Sequence, residues 1–145
     1  TSPIPRKGMG MSAEEFKVWL AVRTDLGMSP GKMAVQAAHA AVGLMLNIER
    51  KHAGLMTAYE NSAMLKIAVR AKTQADLNAV EVEARAFGIP YYVVRDAGRS
   101  EVEPGTKTVV AFGPALRSQL PSGLKRLQLL TDLTPTPSPD PQRIG

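Results

Sequence analysis

The sequence predicts a three-layer α/β domain in which a mixed, mostly parallel sheet of about four strands carries helices on both faces. Three observations predict it. Four short apolar runs of strand formers are spaced along the chain. Helical patterns with start and stop signals separate the first three of these runs. The link between the third and fourth is too short to hold a crossover helix. Strands joined through helices are expected as parallel neighbours in right-handed crossovers, so the first three share a direction and the fourth runs antiparallel to the third.

Each element has a local reason. Residues 16–23 open the ordered region as a strand rich in Val18, Trp19, Leu20 and Val22. Residues 24–31 form a turn segment that delivers Pro30 to a helix start, with Ser29 in the N-cap position, and this helix is expected to run to about Lys51. Residues 64–70 form the second strand. Thr73 opens a second helix, in which Leu77, Val80, Ala84 and Phe87 recur at three- to four-residue spacing until Gly88 and Pro90 end it. Residues 91–95 form the third strand, 96–106 a glycine-containing loop, and 107–112 the fourth strand, with Gly113 and Pro114 after it. Residues 116–130 hold one short helix, with room for a short terminal strand. The ends, 1–13 and 131–145, are expected to be flexible; the second places Pro135, Pro137, Pro139 and Pro141 at every other position, which no helix or central strand tolerates. The ordered domain is therefore expected over 16–130.

Composition narrows the chemistry. With 145 residues, 44% hydrophobic and 21% charged, the chain suits one domain with a real core. Zero cysteines exclude disulfides, thiolate metal sites and cysteine nucleophiles, and His39 and His52 alone make a metal site unexpected. No apolar run approaches the ~20 residues that span a bilayer, so no membrane association is expected. The polar, basic opening with Pro3, Pro5, Gly8 and Gly10 lacks a signal-peptide pattern, which makes the cytoplasm the expected compartment. The net charge of +5 favours an anionic partner such as nucleic acid or phosphate. An aromatic content of 5% argues against a base-stacking platform.

The first helix carries the densest candidate residues. At about 100° per residue, Gln36 and His39 lie roughly 40° and 20° from the direction of Lys32, on opposite sides of it. Met33, Ala34, Ala37, Ala38, Ala41, Val42 and Met45 around this stripe are small or apolar, so the helix can press closely on a sheet. Topology adds two more residues. The helix starts at the carboxyl edge of strand one, Asp96 follows strand three, and Thr106 begins an oppositely directed strand, so Lys32, Asp96 and Thr106 converge on one rim. Open α/β sheets hold ligands on that side. A phosphate-gripping P-loop is excluded, since three residues rather than four separate Gly27 from Gly31 and Met33 follows the lysine where a hydroxyl is needed.

Two blocks closely resemble the type II peptidyl-tRNA hydrolase family, the archaeal and eukaryotic kind. The first is Val22-Arg23-Thr24-Asp25-Leu26 through Gly31-Lys32-Met33-Ala34-Val35-Gln36-Ala37-Ala38-His39-Ala40-Ala41-Val42. The second is Asp96-Ala97-Gly98-Arg99-Ser100 through Pro104-Gly105-Thr106-Lys107-Thr108-Val109-Val110 and Gly113-Pro114. The resemblance covers about residues 16–130. It implies hydrolysis of the ester joining a peptide to the terminal ribose of tRNA, without a cofactor, by a homodimer. Lys32, Asp96 and Thr106 match the family's catalytic lysine, aspartate and threonine, with Gln36, His39 and Arg99 in support. The pattern departs at Glu101, where many members carry a neutral glutamine, at Glu103, and at Ser62-Ala63, where a Gly-Gln pair is usual.

Without a cysteine or a Ser-His-Asp arrangement, direct attack by water is the expected chemistry. Asp96 would orient and deprotonate the water, while Lys32 would keep Asp96 ionised and oppose charge on the carbonyl oxygen, with Thr106 and loop N–H groups as further donors. Arg23, Arg95, Arg99, Lys107 and Lys66 would border the cleft and neutralise phosphates. The rival reading is a module that holds tRNA or a protein without cleaving it; a small-molecule amidase or esterase is a third.

Overall fold

The computed structural model describes residues 14–98 and 101–131. The expected flexible segment 1–13, Arg99, and all but the first residue of the proline-rich tail lie outside the described residues.

Strand β1 (Lys17–Arg23) enters first and is buried along nearly its whole length. Helix α1 (Pro30–Lys51) follows, capped by the Ser29 hydroxyl, which accepts from the Lys32 N–H. A separate helix, α2 (Ala53–Asn61), precedes β2 (Leu65–Ala71). Helix α3 (Gln74–Ala86) is capped by Thr73, β3 spans Tyr91–Arg95 and β4 spans Lys107–Ala115. A single 3-10 turn at Arg117–Gln119 and the short α4 (Ser122–Lys125) finish the described chain.

The sheet order is β2-β1-β4-β3. Strands β1, β2 and β3 point the same way, as expected, but β4 lies between β1 and β3. The hydrogen-bonded pairs are therefore one parallel (β1 with β2) and two antiparallel (β1 with β4, β4 with β3). The mostly parallel pairing expected from the sequence is corrected by that insertion, because the short loop folds β4 back on β3 as a hairpin partner and leaves its other edge for β1.

Alternation along β1 builds a core on each face of the sheet. Val18, Leu20 and Val22 face α1 and α2, meeting Leu44, Ile48 and the fully buried Tyr59. Trp19 and Ala21 face α3 and α4, meeting Leu77, Val80 and Leu124. On this second face Trp19 stacks on Phe112, ring centroids 5.5 Å apart and planes 7° from parallel.

Three details depart from the sequence expectation. Helix α2 was not foreseen: it has no side-chain cap and carries Gly54 in its first turn, so its start signals are weak, yet it delivers Tyr59 to the core. Strand β2 begins at Leu65 because Met64, with Ala63, takes a left-handed turn conformation. Strand β4 continues through Gly113 to Ala115; a Cβ on Gly113 would stand 2.6 Å from the Lys17 carbonyl oxygen. The room left for a terminal strand is used as a single bridge, with Leu129 against Val69 and the Arg70 N–H donating to the Gln128 carbonyl.

Candidate active site

The first turn of α1 and the loop after β3 meet over the carboxyl rim of the sheet. A lysine in a first helical turn is unfavourably placed against the helix dipole, so its charge needs a nearby anion. Asp96 supplies it. The Lys32 Nζ donates to Asp96 Oδ1 at 2.5 Å, and Gln36 Nε2, one turn along the same face, donates to the same oxygen at 3.1 Å. The Gly98 N–H donates to Oδ2 at 2.6 Å. Glycine suits that position because φ is +82° there and a Cβ would stand 2.5 Å from Pro104 Cγ.

These donors decide the protonation state. The hydrogen bond from Lys32 leads, the Gly98 N–H, the Lys32 charge and Gln36 add to it, and together they outweigh burial, so the Asp96 carboxyl is held below the usual carboxylate range. Its side chain is only 3% exposed and that of Lys32 15%. Four lone-pair sites on the carboxylate receive these three donors, which leaves one, on Oδ2, for a further hydrogen.

Thr106 is brought in through the backbone: the Asp96 N–H donates to the Thr106 carbonyl at 2.9 Å and the Gly105 N–H to the Asp96 carbonyl at 2.8 Å. Its half-buried hydroxyl makes no hydrogen bond among the described residues. The structure thus unites Lys32, Gln36, Asp96 and Thr106.

Other expected residues fall elsewhere. His39 shares the direction of Lys32 but sits two turns away, about 10 Å along the helix, exposed and without a hydrogen bond among the described residues. Arg23 is spent locally on Asp25, at 2.7 Å, on Gln74 and on the Lys107 carbonyl. Lys107 points to the α3 side, where its ammonium meets Asn78 at 2.7 Å and Glu81 at 3.0 Å. The cause is a bulge: Val94 pairs with Val109 but Arg95 with Lys107, so Thr108 is an extra residue that reverses the alternation. Lys66 lies at the opposite end of the sheet, over the Tyr59 ring. Arg95 is exposed and donates to the Gly105 carbonyl at 3.1 Å.

Two features near the site were missed. Thr108, inside the expected fourth strand, is fully buried with its hydroxyl unpartnered among the described residues. Glu101, noted only as a departure in charge, accepts from both the backbone N–H and the hydroxyl of Ser29, each at 2.9 Å. Only the lack of an acidic residue in the first turn of α1 hinted at the second. Among the described residues no group of three or more His, Asp or Glu side chains could hold a metal ion, and no helix is long and apolar enough to cross a membrane.

Comparison with known proteins gives the same segment a family. The sequence profile of peptidyl-tRNA hydrolase PTH2 matches residues 16–130. A probable peptidyl-tRNA hydrolase 2 of Drosophila melanogaster is 39% identical over 124 residues, covering 86% of this chain and 67% of that protein. A peptidyl-tRNA hydrolase of Thermococcus onnurineus is 38% identical over 100 residues, 69% of this chain and 85% of its own. One of Methanocaldococcus jannaschii is 33% identical over 115 residues, 79% of this chain and its own entire length. The matched segment runs from the strand that leads into Lys32, through the loop that carries Asp96, to beyond α4, and on that extent of similarity the chain belongs to the peptidyl-tRNA hydrolase PTH2 family.

Proposed function

We propose that this chain is a peptidyl-tRNA hydrolase whose catalytic unit is residues 16–130, and that it cleaves the ester between a peptide and the terminal ribose of tRNA by direct attack of water. One observation carries this reading: a nearly dry carboxylate, Asp96, held by Lys32, Gln36 and the Gly98 N–H with one lone-pair site left over.

A water on the free position of Oδ2 has its proton aimed at Asp96 and its oxygen lone pair available for the ester carbonyl. While Lys32 rests on Asp96 the carboxylate is ionised but weakly basic. As the carbonyl electrons move onto oxygen, Lys32 turns toward the new negative charge, which strengthens Asp96 as a base at the moment the water proton leaves. Collapse of the tetrahedral intermediate breaks the bond to the ribose oxygen, and the proton held by Asp96 goes to that oxygen. The Thr106 hydroxyl is a further donor on this rim.

The test uses peptidyl-tRNA and free aminoacyl-tRNA with the intact chain. The expected result is cleavage of the first only, with Lys32→Ala and Asp96→Asn each lowering turnover by roughly 10²-fold or more. Binding without cleavage, or near-normal rates in both variants that remain folded, overturns it.

The assembly proposed with this activity is a homodimer through the outer face of α1. Val35, Val42 and Leu46 are each about half exposed there, at 54%, 58% and 49%, on the seven- and four-residue spacing of a helix seam. Antiparallel pairing that sets Val35 against Leu46 of the partner subunit also brings Glu49 to a first turn that has no acidic residue of its own. Sedimentation is expected to show a dimer that Val42→Glu dissociates; a monomeric wild-type chain contradicts the assembly.

A further inference from the structure

Two carboxylates of one loop grip the same helix in different places. Asp96, at the root of the loop, holds the side chain of Lys32. Glu101, at its tip, holds Ser29: Oε1 accepts from the Ser29 N–H and Oε2 from its hydroxyl. The Ser29 oxygen in turn accepts from the backbone N–H of Lys32 at 3.1 Å. A chain of hydrogen bonds therefore runs from the loop tip, through the helix cap, to the backbone of the residue whose side chain the loop root engages.

We infer that Glu101 is a positioning residue that fixes the distance between the first turn of α1 and the Asp96 loop, and so the placement of Lys32 for the ester hydrolysis proposed above. Its partners suit the task. Helix α1 has no acidic residue in its first turn, and the Glu101 carboxylate fills that place from outside the helix, where orphan N–H groups and the dipole favour an anion. Among the described residues, the charge that acts on it is that of Lys32 on α1. The two Ser29 hydrogen bonds, with help from the Lys32 charge, keep the Glu101 carboxyl below the usual carboxylate range, so the tie is in place throughout neutral and mildly acidic conditions. Next to it, Val102 is half-buried against the α1-side core and seats the loop without directing it.

The two Ser29 hydrogen bonds carry the tie and the charge only adds to it, and this separates its variants. Glu101→Ala removes both acceptors. Glu101→Gln removes the charge but leaves an oxygen for the Ser29 N–H and an amide that can donate to the Ser29 hydroxyl oxygen. With peptidyl-tRNA as substrate, Glu101→Ala is expected to lower kcat by about tenfold with little change in KM, because a loosened site forfeits alignment rather than binding. Glu101→Gln is expected to restore kcat to within about threefold of wild type. A second readout needs no activity: amide hydrogen exchange at Lys32, Gly98 and Gly105 is expected to quicken by about tenfold in Glu101→Ala and much less in Glu101→Gln.

An unchanged kcat and unchanged exchange in Glu101→Ala overturn the inference, as does a Glu101→Gln variant as impaired as Glu101→Ala, which would make charge the operative property. A lower KM at constant kcat in both variants also overturns it, because Glu101 would then act only by repelling the tRNA polyanion. Failure of the wild-type chain to cleave peptidyl-tRNA would instead sink the proposed function, and the exchange result would still decide the tie.

Discussion

Two lysine–carboxylate pairs sit near the same rim on opposite faces of the sheet, and they are built differently. Lys32 and Asp96 lie on the α1 face, where every donor converges on one carboxylate: an ammonium, an amide and a backbone N–H. Lys107 and Glu81 lie on the α3 face at 3.0 Å, with side chains 13% and 19% exposed. There the contacts spread out, since Lys107 also donates to Asn78 and Glu81 also accepts from Arg85. Burial does not distinguish the lysines, 15% and 13% exposed, although Asp96 is drier than Glu81. Convergence separates the pairs, because a carboxylate surrounded by donors is held in a fixed charge state and direction, whereas a distributed pair cross-links a helix to a strand.

The widest separation between them is expected in turnover. Lys32→Ala should lose roughly 10²-fold or more in turnover, while Lys107→Ala should keep it within about threefold and lose about 1 kcal/mol of stability by leaving Asn78 without its donor and Glu81 with Arg85 alone. Steady-state cleavage of peptidyl-tRNA alongside urea denaturation reads both numbers. Comparable turnover losses in the two variants would erase the distinction.

Disturbing the backbone donor alone probes the convergence more finely. Gly98→Ala must place a Cβ against Pro104 at positive φ, with about 1–2 kcal/mol of backbone strain, and is expected to lower kcat about tenfold as the Gly98 N–H turns away from Oδ2. Retention of wild-type kcat would show that this donor is dispensable.

Acid titration gives the smallest and most specific contrast. Because the folded-state Asp96 carboxyl lies below its unfolded value, its ionised form adds stability that is complete above the unfolded value and is lost as pH falls through the lowered one. The stability gap between wild type and Asp96→Asn should therefore be full at pH 7 and narrow only below about pH 4. A gap that closes nearer neutrality would mean that the surrounding donors do not lower that carboxyl.

The parts of this arrangement that local chemistry dictates were readable in advance. Ser29 and Pro30 announce the start of α1, Thr73 that of α3, and the short link after β3 forces β4 to turn back; together they bring Lys32, Asp96 and Thr106 to one rim. What was not readable depends on distant partners. Which edge β4 takes is decided by pairing with β1 across the chain, so the sheet order escaped. Lys107 was expected to border the cleft and meet phosphates, and the extra residue at Thr108 that turns it to the other face leaves no mark in composition. Arg23 was expected to meet phosphates, but Gln74 and the Lys107 carbonyl reach it only once α3 and β4 are in place. Helix α2 escaped for want of a cap.

The chain has one tryptophan, and Trp19 lies flat on Phe112 on the face of the sheet away from Asp96, 5% exposed. Its emission is accordingly an intrinsic optical gauge of the interior. Intensity and wavelength will follow melting of the sheet while staying blind to occupancy of the rim, so a single fluorescence trace can separate damaged protein from a disabled site.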